Sequence, residues 1–380
     1  MTKITPRDAG AAASHAPMPA LWWDEAANFL ALVDQTRLPG ELVILYPTTS
    51  GEIAEAIQTM RVRGAPAIGV AAAYGLAFGA REALAGVTDP AEAMARLRAV
   101  ADELRATRPT AVNLGWAIDR GLAAAGRAQA AGESATTLPA RLLAVARAVE
   151  AEDAASCAAM GQLGARLIED DDVILTHCNA GALATAGIGT ALAPLYVAHA
   201  AGKHFVVYVD ETRPRLQGAR LTAWELARAG IAATLIADGM AATVLAHERA
   251  AWNRTKVFVG ADRIAANGDV ANKVGTHGLA LIAHGLDTQF YVVAPLSTID
   301  MSAASGGDIP IEQRDEREIT EISGIRIAPE GVRVLNPAFD VTPSHLITAI
   351  ITEAGAVYPP YRHTLPALLK RVRAEQSSKV

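Results

Sequence analysis

From residue 171 onward, short runs of β-branched and aliphatic residues alternate with apolar segments of helical period. The strand-like runs are Val173–His177, Phe205–Asp210, Ala233–Asp238, Lys256–Gly260 and Phe290–Ala294. Between them, residues 182–200, 218–229, 240–251 and 275–285 read as helices. Strands that are apolar throughout are buried on both faces, and strands that alternate with helices pair in parallel. The pattern predicts an α/β chain whose C-terminal part is a doubly wound parallel sheet.

The first half has a different texture. Helical patterns cover residues 50–61, 67–85, 90–107, 113–131 and 138–169, the last a long connecting helix. Ahead of them, Phe29–Val33 and Leu42–Tyr46 flank the Pro39-Gly40 turn and predict a β-hairpin. Residues 1–20 are small, polar and Pro-containing, and read as a flexible tail. The organisation expected is a tail (1–20), a smaller, mainly helical N-terminal domain (21–145) and a catalytic domain (146–380).

Composition narrows the function. Hydrophobic residues make up 51% of the 380 and aromatics only 5%, with alanine runs such as Ala71–Ala73, so closely packed helices are expected. The net charge is −6 and no segment gathers lysines and arginines into a stripe, so a nucleic-acid partner has no electrostatic footprint. Two cysteines, Cys157 and Cys178, form neither a disulfide framework nor a metal-ligand spacing, which points to a reduced, cytoplasmic protein. Lys3 and Arg7 precede no apolar core, so no signal peptide is expected. The uncharged stretches 64–80 and 180–202 read as buried helices rather than membrane spans, being rich in Gly and Ala and interrupted by Gly187, Gly189 and Pro194.

In doubly wound sheets, ligands bind beyond the carboxyl ends of the strands. Four polar clusters stand there: Thr176-His-Cys-Asn179, Asp210-Glu-Thr-Arg213, Asp238-Gly239 and Gly260-Ala-Asp-Arg263. Cys178 falls between a strand and the expected start of a helix, where a helix N-terminus favours a thiolate or a bound anion; a buried structural cysteine is the alternative. Cys157 lies in an alanine-rich helical stretch and reads as packing. Asp262 follows an apolar strand, and desolvation there suits a general acid or base, but position alone does not separate it from Asp210 and Asp238, which also suit loop capping. Asn272-Lys273 and the Arg213–Gln217 segment offer phosphate donors at loop-to-helix junctions. Arg61, Arg63 and Arg108 stand at two further junctions in the first domain. No dinucleotide glycine fingerprint and no Walker motif occurs.

Taken together, RGAPAIG (63–69), RPTAVNL (108–114), THCNAG (176–181), DETRPRLQGARLTAWEL (210–226), GADRIAANGDVANKVGT (260–276) and NPAFDVTP (336–343) resemble the 5-methylthioribose-1-phosphate isomerase family of methionine salvage. The resemblance runs from about residue 21 to 365. It implies a Rossmann-like catalytic domain and an aldose–ketose isomerase acting on a sugar phosphate in amino-acid (methionine) biosynthesis. It also implies a cytoplasmic homodimer needing no metal or nucleotide. By the same resemblance Cys178 and Asp262 are catalytic, while Arg63, Gly64, Ala65, Arg108, Gln217, Asn272 and Lys273 bind substrate. Two related families set the alternatives. One is ribose-1,5-bisphosphate isomerase; the other is the non-catalytic regulatory subunits of the eukaryotic translation-initiation exchange factor. A 5-deoxyribose 1-phosphate activity fits the same motifs.

Overall fold

A computed structural model describes residues 2–4, 16–108, 111–252 and 254–377. The chain divides into two compact units: residues 1–158 with 181–189, and residues 159–180 with 190–380. The division falls inside the long helix that also contains residue 145, where the sequence pattern set its boundary.

The first unit opens with an antiparallel sheet of four strands in the order β1 (Thr2–Ile4), β4 (Ile44–Tyr46), β3 (Phe29–Val33) and β2 (Leu21–Asp24). The β3–β4 hairpin is the one expected. Strand β2 was not, and residues 2–4 of the expected tail pair with β4 rather than standing loose. Residues 1 and 5–15 of that tail lie outside the described residues.

Helices α1 (Ser50–Gln58), α2 (Ala65–Ala83), α3 (Pro90–Thr107), α4 (Val112–Ala130) and α5 (Leu138–Ala165) follow, the last running on into the second unit. Thr49 starts α1 with a capping box to Glu52. Helix α2 is buried continuously from Ala67 to Ala80, so it is apolar all round. Small residues let its neighbours approach: Gly75 lies under Leu104 and Gly79 under Val100. The uncharged 64–80 stretch is therefore a central core helix, and no helix among the described residues is long and apolar enough to cross a membrane.

The second unit is built on a seven-stranded sheet. Its strands are β5 (Asp172–Thr176), β6 (Phe205–Asp210), β7 (Ala233–Ile236), β8 (Thr255–Val259), β11 (Gln289–Val293), β16 (Ala349–Thr352) and β17 (Gly355–Val357). The spatial order is β17-β16-β11-β8-β5-β6-β7; all neighbours pair in parallel except the β16–β17 edge. Reading outward from β5, the chain winds one way through β6 and β7 and the other way through β8, β11 and β16. The order reverses between β5 and β8, which makes their carboxyl ends the switch point where such sheets bind ligands.

Helices α6 (Ala193–Ala200), α7 (Ala223–Arg228), α8 (Ala241–Trp252) and α9 (Thr276–Gly285) supply the connections. A smaller sheet ordered β12 (Ile299–Asp300), β9 (Arg263–Ala265), β10 (Val270–Lys273) and β15 (Phe339–Thr342) follows β8. The unit also carries α10 (Arg317–Thr320), the hairpin β13 (Glu321–Ile322) and β14 (Ile325–Arg326), and α11 (Tyr361–Ser377).

One expected element changes character. Residues 182–200 do not form a single helix: a 3-10 turn covers Ala182–Ala184 and α6 begins only at Ala193. Gly189 is the reason, since its φ is +92° and a Cβ there would sit 2.4 Å from the carbonyl carbon of Gly181. No L side chain fits that approach, so the chain doubles back in a bridge between Gly181 and Gly189.

Candidate active site

Strands β5 and β8 are hydrogen-bonded neighbours, with Thr176 opposite Phe258 and the Thr176 hydroxyl donating to the Phe258 carbonyl at 2.8 Å. The chain leaves β5 into His177, Cys178 and Asn179, and leaves β8 into Gly260, Ala261 and Asp262. Ala180 lies against Gly260, so the two loops run side by side. Cys178 and Asp262 thus come off adjacent parallel strands at the switch point.

Lys273 joins them. It is the last residue of β10, whose partner strand β9 begins right after Asp262, and the Asp262 N–H donates to the Ala271 carbonyl. The Lys273 side chain is only 6% exposed, with its ammonium 5.5 Å from the centre of the Phe339 ring. Burial pulls its pKa below 10.5 and Arg314 adds to this, while the acidic groups of Cys178, Asp262 and Glu318 work in the opposite direction. A buried cation is thus poised beside a thiol and a carboxylate.

Cys178 has φ +66°, a left-handed conformation uncommon outside glycine and frequent at functional sites. The α-helix expected to begin just after it is absent, only a 3-10 turn at Ala182–Ala184 following; hydrogen bonds with Thr212 and Thr222 hold the residue instead. Cys157, as expected, is fully buried, packed beside Gly187 within the first unit.

His177 is fixed on both sides. Its Nε2 faces the Val274 carbonyl at 2.9 Å, and since a carbonyl only accepts, this nitrogen carries a proton. Its Nδ1 lies 2.9 Å from Asp210 Oδ2. Burial alone pulls the imidazole pKa down, but the bonds to Asp210 and Val274 reverse this and raise it. Burial raises that of Asp210, partly offset by His177, so the pair shares a proton as a unit. Gly275, at φ +107°, leaves room for the ring, which a Cβ would meet at 2.6 Å. His177 thereby joins the residue before Cys178 to the residue after Lys273.

Asp238 accepts the N–H groups of Thr212 and Arg213, both at 2.7 Å, so it is the loop-capping residue its position suggested. His177, Asp210 and Asp238 stand close enough to consider as metal ligands. Both ring nitrogens and both Asp238 oxygens are already in hydrogen bonds that tie loops together, while Asp210 Oδ1 is buried with no partner among the described residues.

The remaining substrate-set residues of this unit are also buried. Asn272 donates to Thr276 Oγ1 at 3.0 Å. Gln217 is 8% exposed and its buried Oε1 has no hydrogen-bond partner among the described residues, leaving an acceptor open. The arginines beside Gln217, which read as phosphate donors, are engaged elsewhere: Arg213 donates to the Ile319 carbonyl and Arg215 pairs with Glu318 at 2.7 Å. In the first unit, Arg63 is buried and donates to Gln35 Oε1, and Gln35 in turn donates to the Leu183 carbonyl. Gly64 precedes α2 with φ +93° and Ala65 is its first residue. Arg108 ends α3; residues 109 and 110 of the same motif lie outside the described residues.

Sequence reasoning missed the supports: His177, Thr212, Thr222 and the Asn179–Glu225–Tyr196 chain of buried hydrogen bonds. For His177, Asn179 and Thr212 the signal was polar residues crowding directly after apolar strands; Tyr196, Thr222 and Glu225 lie in helical segments and carried no such signal.

A doubly wound sheet with buried donors and acceptors at its switch point defines a small-molecule site of the Rossmann-like class. The chain belongs to the Initiation factor 2 subunit family, whose profile matches residues 61–359. It is 53% identical over 349 residues to methylthioribose-1-phosphate isomerase of Desulforudis audaxviator, covering 92% of this chain and 97% of that protein. It is 50% identical over 351 residues to 5-deoxyribose 1-phosphate isomerase of Moorella thermoacetica, covering 92% and 97%. The crystal structure of 5-methylthioribose 1-phosphate isomerase from Pyrococcus horikoshii superposes with a TM-score of 0.83 at 40% identity, over 93% of this chain and 96% of that one.

Proposed function

We propose that this chain is an aldose–ketose isomerase converting 5-methylthioribose 1-phosphate to 5-methylthioribulose 1-phosphate in methionine salvage, as a cytoplasmic homodimer without metal or nucleotide. The observation that carries the reading is the grouping of Cys178, Asp262 and the buried Lys273 at the β5/β8 switch point. The likeness to named isomerases over nine-tenths of the chain supplies the reaction.

The chemistry explains the need for such a site. Ordinary aldose isomerases open the sugar to a free aldehyde, which acidifies the C2 proton. Here the anomeric oxygen is esterified to phosphate, so the ring must open with phosphate attached before hydrogen moves from C2 to C1. In our reading Asp262 protonates the ring oxygen and then exchanges a proton with the C2 hydroxyl. Cys178 serves as the second acid/base or stabilises developing charge. Lys273 and Asn272 hold the anionic substrate, and the open Gln217 acceptor takes a sugar hydroxyl. Arg63, Gly64, Ala65 and Arg108 are assigned to substrate binding on the family motifs alone.

A 5-deoxyribose substrate differs only at C5, where one apolar group replaces another, and a hydrophobic pocket discriminates such changes weakly. The test is product formation from each sugar 1-phosphate by the purified protein, without added metal or nucleotide. Turnover of 5-methylthioribose 1-phosphate is expected; absence of product from either sugar overturns the reading.

A further inference from the structure

Cys178 is held in its left-handed conformation by two hydroxyls. Its N–H donates to Thr212 Oγ1 at 2.8 Å, and its carbonyl accepts from Thr222 Oγ1 at 2.6 Å. Both threonines are completely buried. The Thr212 hydroxyl gives its own proton to the Asp210 carbonyl at 3.0 Å. Thr222 Oγ1 receives Asn179 Nδ2 at 3.1 Å, so its single proton is directed at Cys178.

The support continues inward. Asn179 Nδ2 also donates to Glu225 Oε1 at 2.7 Å, and the other Glu225 oxygen accepts the Tyr196 hydroxyl at 2.9 Å. Glu225 is 3% exposed. A carboxylate so buried is costly unless its hydrogen bonds are filled, and here each oxygen has a donor. Thr222 ends a π-helical turn, Gly218–Thr222, which leads into α7. The wider turn displaces the residues after it relative to an α-helix started at the same point, and such turns concentrate at functional sites.

We propose that Thr222, together with Thr212, is a positioning residue that clamps the Cys178 backbone so that the thiol is presented to substrate. The clamp rests on Cys178 acting in the isomerisation. It adds that the conformation is imposed from behind by the threonine hydroxyls and the Asn179–Glu225–Tyr196 chain.

The experiment compares Cys178→Ser, Thr222→Val, Thr222→Ser and the unaltered protein. It measures kcat, KM, thermal midpoint and the native rate of Cys178 alkylation by iodoacetamide, read by peptide mass spectrometry. Thr222→Val keeps the branched shape and removes the hydroxyl. It is expected to lower kcat by about tenfold or more, with KM within about threefold, and to change the alkylation rate. Thr222→Ser, which keeps the hydroxyl, is expected to recover most of both. Should Thr222→Val not fold, Thr212→Ala carries the same test through the Cys178 N–H.

Unchanged kcat in Thr222→Val, or a loss that Thr222→Ser shares in full, overturns the clamp. Changed alkylation with unchanged kcat also overturns it, because the thiol would then move without consequence. Wild-type turnover in Cys178→Ser is a distinct failure, that of the role assigned to Cys178, and the clamp falls with it.

Discussion

Two buried lysines in the second unit differ in how their charge is met. Lys256, on β8, is 9% exposed and fully engaged: its ammonium pairs with Asp172 at 2.6 Å and donates to the Leu167 carbonyl at 2.7 Å. Lys273, at the end of β10, is 6% exposed but forms no ion pair with the described residues; its ammonium faces the Phe339 ring and lies within electrostatic reach of Cys178, Asp262, Glu318 and Arg314. Removing the partner of a paired buried charge destabilises a fold, whereas a buried charge left under-satisfied marks a candidate ligand site. Burial alone does not separate the two; their partners do.

The largest effect that bears on this contrast is chemical. Asp262→Asn, which removes a negative charge from beside Lys273, is expected to lower kcat by about a hundred- to ten-thousandfold, with a normal circular dichroism spectrum. Near-normal turnover in a folded variant would remove Asp262 from the mechanism.

Next in size is the structural lysine. Lys256→Met leaves Asp172 buried and uncompensated and is expected to cost about 3–5 kcal/mol in urea denaturation. Among molecules that remain folded, kcat should be unchanged, and a specific loss of kcat would break the division.

Lys273→Met inverts both signs. It relieves a buried cation and should leave the denaturation midpoint unchanged or raised, while kcat/KM falls by roughly ten- to a hundredfold. A large loss of stability would make Lys273 a second structural lysine.

The smallest effect is its pH signature. The folded pKa of Lys273 lies below the ordinary 10.5, so between those two values the unfolded chain binds more protons. The stability of the unaltered protein relative to Lys273→Met should therefore rise with pH through that window, with a slope of at most about 1.4 kcal/mol per pH unit. A falling difference would mean that the folded site favours the charged form.

Much of this was legible in the chain. Apolar runs separated by helical segments determined the parallel sheet of the second unit: β5 and β8 are buried throughout, as strands covered on both faces must be apolar, whereas β7 is apolar but largely exposed. The small sheet β12-β9-β10-β15 went unread, since its strands are two to four residues long and carry buried polar residues such as Asn272 and Lys273 in place of an alternating pattern. The helix read over 182–200 failed because hydrophobic period cannot register a steric demand such as that of Gly189, which arises only where two backbones meet.

The site divides in the same way. The sequence by itself determined that polar clusters follow apolar strands, and its motifs selected Cys178 and Asp262. Strand order was decided only in three dimensions: nothing along the chain says that β8 lies beside β5, and that pairing is what joins the Cys178 and Asp262 loops. Tertiary structure likewise decided which buried polar groups are spent. Hydrogen-bond partners such as Asp210 for His177, or Thr222 for Cys178, stand 33 and 44 residues apart in the chain, and only folding brings their atoms within reach.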